Sequence, residues 1–287
     1  MNRLSVVLAV YNEEGNLKDC LVSIKDVANE IVIVDGGSTD KTVEIAESFK
    51  AKIIETDNPP IFHINKQKAL EAATYDWILQ LDADERTSGK LNDEIKMVIN
   101  MSEKEQEEYQ TKLPKKKLFL RHQGLLDKRD GKIGSDSGSY TAFFVPRLNY
   151  FLGKFMRYGG VYPDGVIRLV KKGYAKFPAK SVHEQIMIEG RVGWLQYDLL
   201  HYDSPTLKRY LERNNRYINL IVDELKRDKM GKNLSGFVNY LFIKPIWWFL
   251  LTQIRHKGIL DGWQGIVFSF FSALRFPRAY WRYLHRT

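Results

Sequence analysis

Two carboxylates, Asp82 and Asp84, close the apolar run Trp77-Ile-Leu-Gln-Leu-Asp-Ala-Asp-Glu85, with the small residue Ala83 between them. On extended backbone an i, i+2 spacing sends both carboxylates to one side. Two hard oxygen donors at the end of a buried strand suit Mg²⁺ or Mn²⁺ holding a diphosphate. A strand end that merely turns polar at solvent gives the same triplet, so the elements around it decide.

Those elements alternate. Leu4–Val10 is a continuous apolar, β-branched run, as buried parallel strands are. Asn16–Val27 reads as a helix, Glu30–Val34 as a second strand, Thr42–Phe49 as a helix and Ala51–Glu55 as a third strand. Ile64–Ala73 is a helix, and Trp77–Leu81 is the fourth strand. The order β-α-β-α-β-α-β implies an α/β fold, a doubly wound, mostly parallel sheet with right-handed crossovers. Ligands of such sheets sit outside the carboxyl ends of the strands. Three polar clusters fall at those ends: Tyr11–Glu14, Asp35–Asp40 and Asp82–Glu85. Further on, 88–117 reads as an exposed helix and Lys128–Gly138 as a loop. Thr141–Pro146 and Val166–Val170 read as strands. Arg147–Gly160, aromatic and basic, is a candidate lining for an acceptor groove.

The chain has 287 residues, enough for a full core, and a single cysteine, Cys20, which excludes an internal disulfide framework. Cys20 lies in a helical pattern and reads as a buried structural thiol. No Cys/His spacing resembles a zinc site. Met1-Asn-Arg leads straight into a strand rather than a signal-peptide pattern, so the expected location is cytoplasmic. The net charge of +9 is uneven. Residues 1–204 hold 29 Lys/Arg and 30 Asp/Glu, whereas 205–287 hold 15 and 5. Two parts are therefore expected, a catalytic domain over 1–204 and a basic, aromatic-rich helical segment over 205–287.

Taken together, Ser5-Val-Val-Leu-Ala-Val-Tyr-Asn-Glu-Glu14, Ile31-Val-Ile-Val-Asp-Gly-Gly-Ser-Thr-Asp-Lys-Thr42 and Leu81-Asp-Ala-Asp-Glu-Arg86 resemble the family 2 glycosyltransferases of GT-A fold. Val145-Pro-Arg-Leu-Asn-Tyr-Phe-Leu-Gly153, Gly159-Gly-Val-Tyr-Pro-Asp164, Ile167-Arg-Leu169 and Val182-His-Glu184 are similar to the branch of lipopolysaccharide core β-1,4-glucosyltransferases. The resemblance implies a nucleotide-sugar donor, with Ala9, Tyr11 and Glu13 on the uridine side and Asp35 accepting from the base N–H. Gly36 and Gly37 would allow close backbone approach or positive φ. Ser38 and Asp40 would instead cap the next helix. Lys66 would approach the diphosphate, or face solvent. Asp84 would ligate the metal directly, with Asp82 contacting the ribose or a metal-bound water, Ala83 at the donor and His183 a further ligand. For an inverting transfer the base is Glu184, favoured over Asp164, with the other carboxylate holding the acceptor. Arg147, Tyr162 and Arg168 are the candidate acceptor contacts, and Arg168 has a structural salt bridge as its alternative.

Trp247, Trp248, Trp263 and Trp281 lie in the C-terminal segment. Phe237–Leu251 is interrupted by Lys244-Pro245 and Ile259–Leu274 by polar residues, so no spanning helix is expected. Aromatic, apolar and basic residues together suit peripheral contact with the inner face of the cytoplasmic membrane. No nucleic-acid module is recognisable, and no G-x-G-x-x-G follows the first strand. The expected activity moves a hexose from a nucleotide-diphosphate sugar, a UDP-sugar, to a lipopolysaccharide-core or lipid-linked saccharide. A peptide or protein acceptor is one alternative, and a non-catalytic nucleotide-sugar-binding membrane scaffold is the other.

Overall fold

The computed structural model describes residues 2–178 and 185–285. Its N-terminal portion alternates as the apolar runs require: β1 (Leu4–Val10), α1 (Leu17–Ile24), β2 (Glu30–Asp35), α2 (Thr42–Ser48), β3 (Lys52–Glu55), α3 (His63–Ala72) and β4 (Trp77–Leu81). These strands are parallel and lie in the order β3-β2-β1-β4, with Val7 opposite both Val32 and Gln80. The winding reverses between β1 and β4, and the crevice at such a switch point is where doubly wound sheets take ligands.

Strand alternation sorts the side chains. Leu4, Val6 and Leu8 of β1, with Trp77, Leu79 and Leu81 of β4, pack against Leu17, Leu21 and Ile24 of α1. Val7 and Ile78 point to the opposite face, against Ala69 and Leu70 of α3. Gln80 and Asp82 share the face of Ile78 by the same two-residue period. Lys66 lies one turn before Leu70 on α3. Sequence pattern alone therefore brings Lys66 toward Asp82.

The chain continues through β5 (Glu85–Arg86), α4 (Gly89–Asn100), α5 (Glu103–Lys112), α6 (Lys116–Asp130), β6 (Tyr140–Phe151), β7 (Lys154–Phe155) and β8 (Asp164–Lys171). After β9 (Ala175–Lys176), β10 (Met187–Ile188), β11 (Arg191–Trp194) and β12 (Leu199–Ser204) comes α7 (Leu207–Arg227). β8 runs antiparallel beside β4 and β6, so a mixed half is added to the parallel one. β5 pairs with β12, His201 opposite Glu85.

Where one exposed helix was expected over 88–117 there are three, and α6 absorbs Lys128–Asp130 from the expected loop. α4 is not exposed throughout. It buries Leu91, Ile95, Val98 and Ile99 in the β1–β4 core, and Ser88 caps it by accepting from the Leu91 N–H at 3.2 Å. α5 opens on a full capping box between Ser102 and Glu105.

The described chain forms two compact units, Met1–Arg147 with Pro163–His201, and Leu148–Tyr162 with Tyr202–Thr287. In the second, α7 buries Tyr210, Asn214, Ile218, Val222 and Leu225 at spacings of three and four. There follows one continuous helix of 22 residues, Leu234–Arg255, then α10 (Trp263–Ala273) and α11 (Arg275–His285); we label the regular turns within the long helix α8 (Leu234–Val238) and α9 (Lys244–Leu250). The Lys244-Pro245 pair does not interrupt it, contrary to the sequence expectation. A π turn over Asn239–Ile243 precedes the proline, with the Lys244 N–H reaching back to the Asn239 carbonyl. Widening by one residue accommodates the missing proline N–H and relieves its clash with the preceding turn. By length and composition this helix is long and apolar enough to cross a membrane.

Leu79 is fully buried in the first unit's core. Leu79→Ala should lower unfolding stability by about 2–5 kcal/mol, read by urea titration with unchanged m.

Candidate active site

The loops leaving β1 and β2 are laced by side-chain to backbone bonds. Asn12 adopts φ 52°, a left-handed conformation that Asn tolerates. From there its N–H donates to Ser38 Oγ at 2.9 Å and its Oδ1 accepts the Thr39 N–H at 2.8 Å. The Glu14 N–H donates to Asp40 at 3.0 Å, and the Lys41 N–H returns to Glu14 at 3.1 Å. Asp40 also accepts the Thr42 N–H and hydroxyl, but the residue at the cap position of α2 is Lys41, so Asp40 precedes the helix rather than capping it as expected. Ser38 does not cap. Its hydroxyl donates to buried Asp35 at 2.5 Å, and Asp35 takes the Gly37 and Ser38 N–H groups at 3.0 and 2.8 Å. Gly37 needs its φ of +79°, whereas Gly36 needs its bareness: a Cβ there would stand 3.2 Å from Asn58 Cβ. Ala9 lies opposite Val34, Glu13 accepts from Asn16 at 2.8 Å, and Tyr11 is exposed beyond the β1 tip.

At the tip of β4 charges alternate in a chain. Lys66 Nζ meets Asp82 Oδ1 at 2.5 Å, and Arg168 Nη2 meets Asp82 Oδ2 at 2.5 Å. The same Nη2 donates to Glu85 at 2.7 Å, and Nη1 donates to Gln80 Oε1. Arg147 reaches Glu85 at 3.4 Å and gives two N–H bonds to Asp164 Oδ2 at 3.0 and 2.7 Å. Glu85 is wholly buried, and its other oxygen accepts the Asp82 N–H at 3.0 Å. Burial opposes ionisation of Asp82, but Arg168 and Lys66 outweigh it and hold the carboxyl well below the usual range. Burial pushes the Lys66 ammonium below its ordinary value, against the pull of Asp82. Lys66 is thus no solvent-facing helix lysine. Beneath the tip, Cys20 Sγ lies 3.7 Å from the Asp82 carbonyl oxygen, and burial pushes its thiol up, out of reach of thiolate chemistry.

Asp84 borders this lattice and meets a histidine. Its Oδ2 is 3.5 Å from His201 Nε2 on β12. Burial would raise its pKa, and the His201 hydrogen bond and charge bring it below the usual value instead. His201 was not singled out in the sequence. Its one signal is a histidine at a buried position of a short strand, and only the β5–β12 pairing carries it to Asp84. Among the described residues no three His, Cys, Asp or Glu side chains converge as a ready metal site. His183 and Glu184 lie outside the described residues. The donor set still suits Mg²⁺ or Mn²⁺ bound with phosphate, since such ions take one or two carboxylates plus substrate oxygens. Asp84 supplies one such carboxylate, with the His201 imidazole nitrogen beside it, while both oxygens of Asp82 are in ion pairs. Of the candidate acceptor contacts, Arg147 and Arg168 are held by carboxylates. Tyr162 belongs to the second unit, under the Arg157 guanidinium.

Arg168→Met should strand buried Glu85 and destabilise the protein by about 3–5 kcal/mol at neutral pH. Because the folded Asp82 carboxyl is depressed, its ion-pair stabilisation is complete above the unfolded-state value and fades as pH falls through the folded one. Thermal unfolding against pH should therefore show wild type and variant drawing closer in acid.

Residues 5–94 match the model of glycosyl transferase family 2. An uncharacterised glycosyltransferase of Rickettsia typhi is 27% identical over 97% of this chain and 86% of its own. The lipopolysaccharide core biosynthesis glycosyltransferase LpsC of Rhizobium meliloti is 28% identical over 95% of this chain and 91% of its own. Among solved structures, glucosyl-3-phosphoglycerate synthase from Mycobacterium tuberculosis with Mn²⁺, UDP and glucosyl-3-phosphoglycerate is 25% identical over 29% of this chain and 34% of that one, with a TM-score of 0.27. So short an overlap bears on neither fold nor ligand. The family match covers the four parallel strands and their polar tips, so residues 5–94 form a glycosyl transferase family 2 domain, and over nearly its whole length the chain is similar to glycosyltransferases.

Proposed function

We propose that the protein transfers a hexose, with inversion, from a UDP-sugar to a lipopolysaccharide-core or other lipid-linked saccharide at the inner face of the membrane. The observation that carries this reading is the tip of β4, where Asp84 remains beside His201 while Asp82 is neutralised by Lys66 and Arg168. It lies at the switch point of the sheet, on a chain similar to a lipopolysaccharide core glycosyltransferase. The uridine is assigned to Ala9, Tyr11, Glu13, Asp35 and Gly36, and the ribose to Asp82 and Ala83. Lys66 is assigned to the diphosphate.

A divalent cation, when bound, supplies Lewis-acid neutralisation of the departing diphosphate, and Asp84 with His201 would hold it. Lys66 adds a point charge beside the same phosphates. Asp164, with two guanidinium N–H bonds on one oxygen, has the posture of a group that holds the acceptor. Glu184 of the Val182-His-Glu184 run is then the base that takes the acceptor hydroxyl proton, as the family resemblance suggests. Arg147 and Arg168 set the acceptor side by fixing Asp164 and Glu85, and Tyr162 remains a candidate contact.

Calorimetric titration of UDP should show binding that requires Mn²⁺ in the wild type and is lost in Asp84→Ala and weakened in His201→Ala. UDP release from donor plus acceptor should fall about 10²-fold or more in Asp84→Ala. Glu184→Gln should keep UDP binding and lose turnover, whereas Asp164→Asn should chiefly raise the acceptor KM. Folded protein that takes no UDP with or without metal would overturn the assignment.

A further inference from the structure

The second unit has helices that are inside-out for water. On the long helix Leu234, Val238, Phe242, Ile246, Leu250 and Ile254 recur every four residues, and all are exposed, Ile254 by 71%. Trp247 stands beside this stripe, and on α10 Trp263, Ile266 and Phe270 are exposed in the same way. The buried faces are small or polar. Gln253 Nε2 donates to the Gly265 carbonyl at 2.9 Å and to Ser269 Oγ at 2.6 Å, and Trp248 Nε1 donates to Ser272 Oγ at 2.7 Å. A helix in water buries its apolar stripe. Glycine, hydroxyl and amide residues between helices, with leucines and aromatics outward, is the arrangement that suits hydrocarbon as the surroundings.

Charge says which surface. Residues 229–287 contain nine Lys and Arg and a single carboxylate, Asp261. Asp261 is buried, accepting the Arg157 and Tyr158 N–H groups at 3.0 and 2.8 Å on one oxygen. Lys244, the cation midway along the helix, lies with its ammonium 2.6 Å from the Tyr240 hydroxyl, and Arg255 is the helix's last residue. The segment thus offers apolar side chains with positive charge only, as anionic headgroups over acyl chains require.

Both ends of the long helix are fastened to the same unit. Just past its C-terminus the His256 carbonyl accepts the Gly159 N–H at 2.9 Å, and the following turn is held through Asp261. Just before its N-terminus the Met230 carbonyl accepts the Tyr283 hydroxyl at 2.6 Å, and near that end Tyr240 stacks on Tyr280 of α11. A helix that crossed a bilayer would put these two ends on opposite sides, about 30 Å apart across the hydrocarbon core. α11, with Arg278 and Arg282 bound to Asn215 of α7, runs with one such end and cannot follow into lipid.

We infer that Leu234–Arg255 and α10 lie in the plane of one leaflet of an anionic bilayer and do not span it, although the long helix is long enough to do so. This deepens the reading of a lipid-borne acceptor and rests on it only for its purpose.

The test uses the full chain and sealed vesicles of phosphatidylcholine with and without phosphatidylglycerol. Flotation should recover protein with the anionic vesicles, and brominated lipids should quench tryptophan emission. The double variant Ile246→Glu, Leu250→Glu changes only exposed side chains and should partition about tenfold less or worse, with UDP affinity unchanged. Asn233→Cys and Lys257→Cys flank the helix, and native Cys20 is buried and silent. On wild-type background each introduced thiol should react with an impermeant maleimide added outside. Protection of one thiol but not the other would mean a spanning helix and overturn the inference. Absence of flotation in protein that still binds UDP would also overturn it, leaving the donor site intact. A wild-type dimer in light scattering that the double variant breaks, with no flotation, would instead assign the face to a second copy.

Discussion

The first unit depends on one guanidinium. Arg168 stands where Asp82, Glu85 and Gln80 converge, and β8 must lie antiparallel beside β4 for it to get there. Burying a carboxylate is tolerable only when its charge is matched and its lone pairs are filled. Glu85 has no exposure at all, so the arginine is a condition of the fold before it is a contribution to chemistry. Counting the connected groups, Lys66, Arg168 and Arg147 balance Asp82, Glu85 and Asp164. Asp84 lies beside this neutral lattice with the His201 imidazole 3.5 Å from its carboxylate.

The two strand-tip loops solve a different problem. Loop backbone has no ladder to fill its hydrogen bonds, so short polar side chains do it. Asn12, Ser38, Asp35, Asp40 and Glu14 bind N–H groups on their own or the facing loop, and thereby tie together the loops leaving β1 and β2 without a bulky side chain. Gly36 lets the second of these loops pass close to Asn58. Polar residues that look like ligand contacts in the sequence are here also the scaffold, and Asp35 serves its own turn before any base.

What was legible divides by the range of the interactions. Strands β1 to β4 and helices α1 to α3 announced themselves because each is a local period of apolar residues, and the polar tips followed from strand ends. Lys66 was recognised as near the diphosphate position but not as buried, since its partner Asp82 lies sixteen residues away across a crossover. Arg168 carried both readings until the β4–β8 register resolved its partners. The local signal of His201 could not point to Asp84, because its meaning comes from pairing opposite Glu85 more than a hundred residues earlier. The three helices over 89–130 are a different case. The Ser102–Glu105 capping box and the apolar spacing of Leu91, Ile95 and Val98 were there to be read, but the high charge around them masks the period. Glu184 and His183 rest on motif alone.

Proline misled in the second unit for a physical reason. A helix is usually ended by Lys-Pro because the proline clashes with the carbonyl four residues back and withdraws a donor. Here a π turn directly before it shifts that carbonyl aside, and the apolar stripe passes through unbroken. The π turn also sets the direction of everything beyond it. With a second π turn over Leu251–Arg255, it keeps Ile246, Leu250 and Ile254 in line with Leu234 and Val238, so that Trp248 and Gln253 meet α10. Had the helix broken at Pro245, a polar face would have been left without partners and the apolar stripe would have divided into two short patches. A single extra residue per turn therefore converts a sequence that reads as two fragments into one surface, with a dry face toward its surroundings and its hydrogen bonds turned inward.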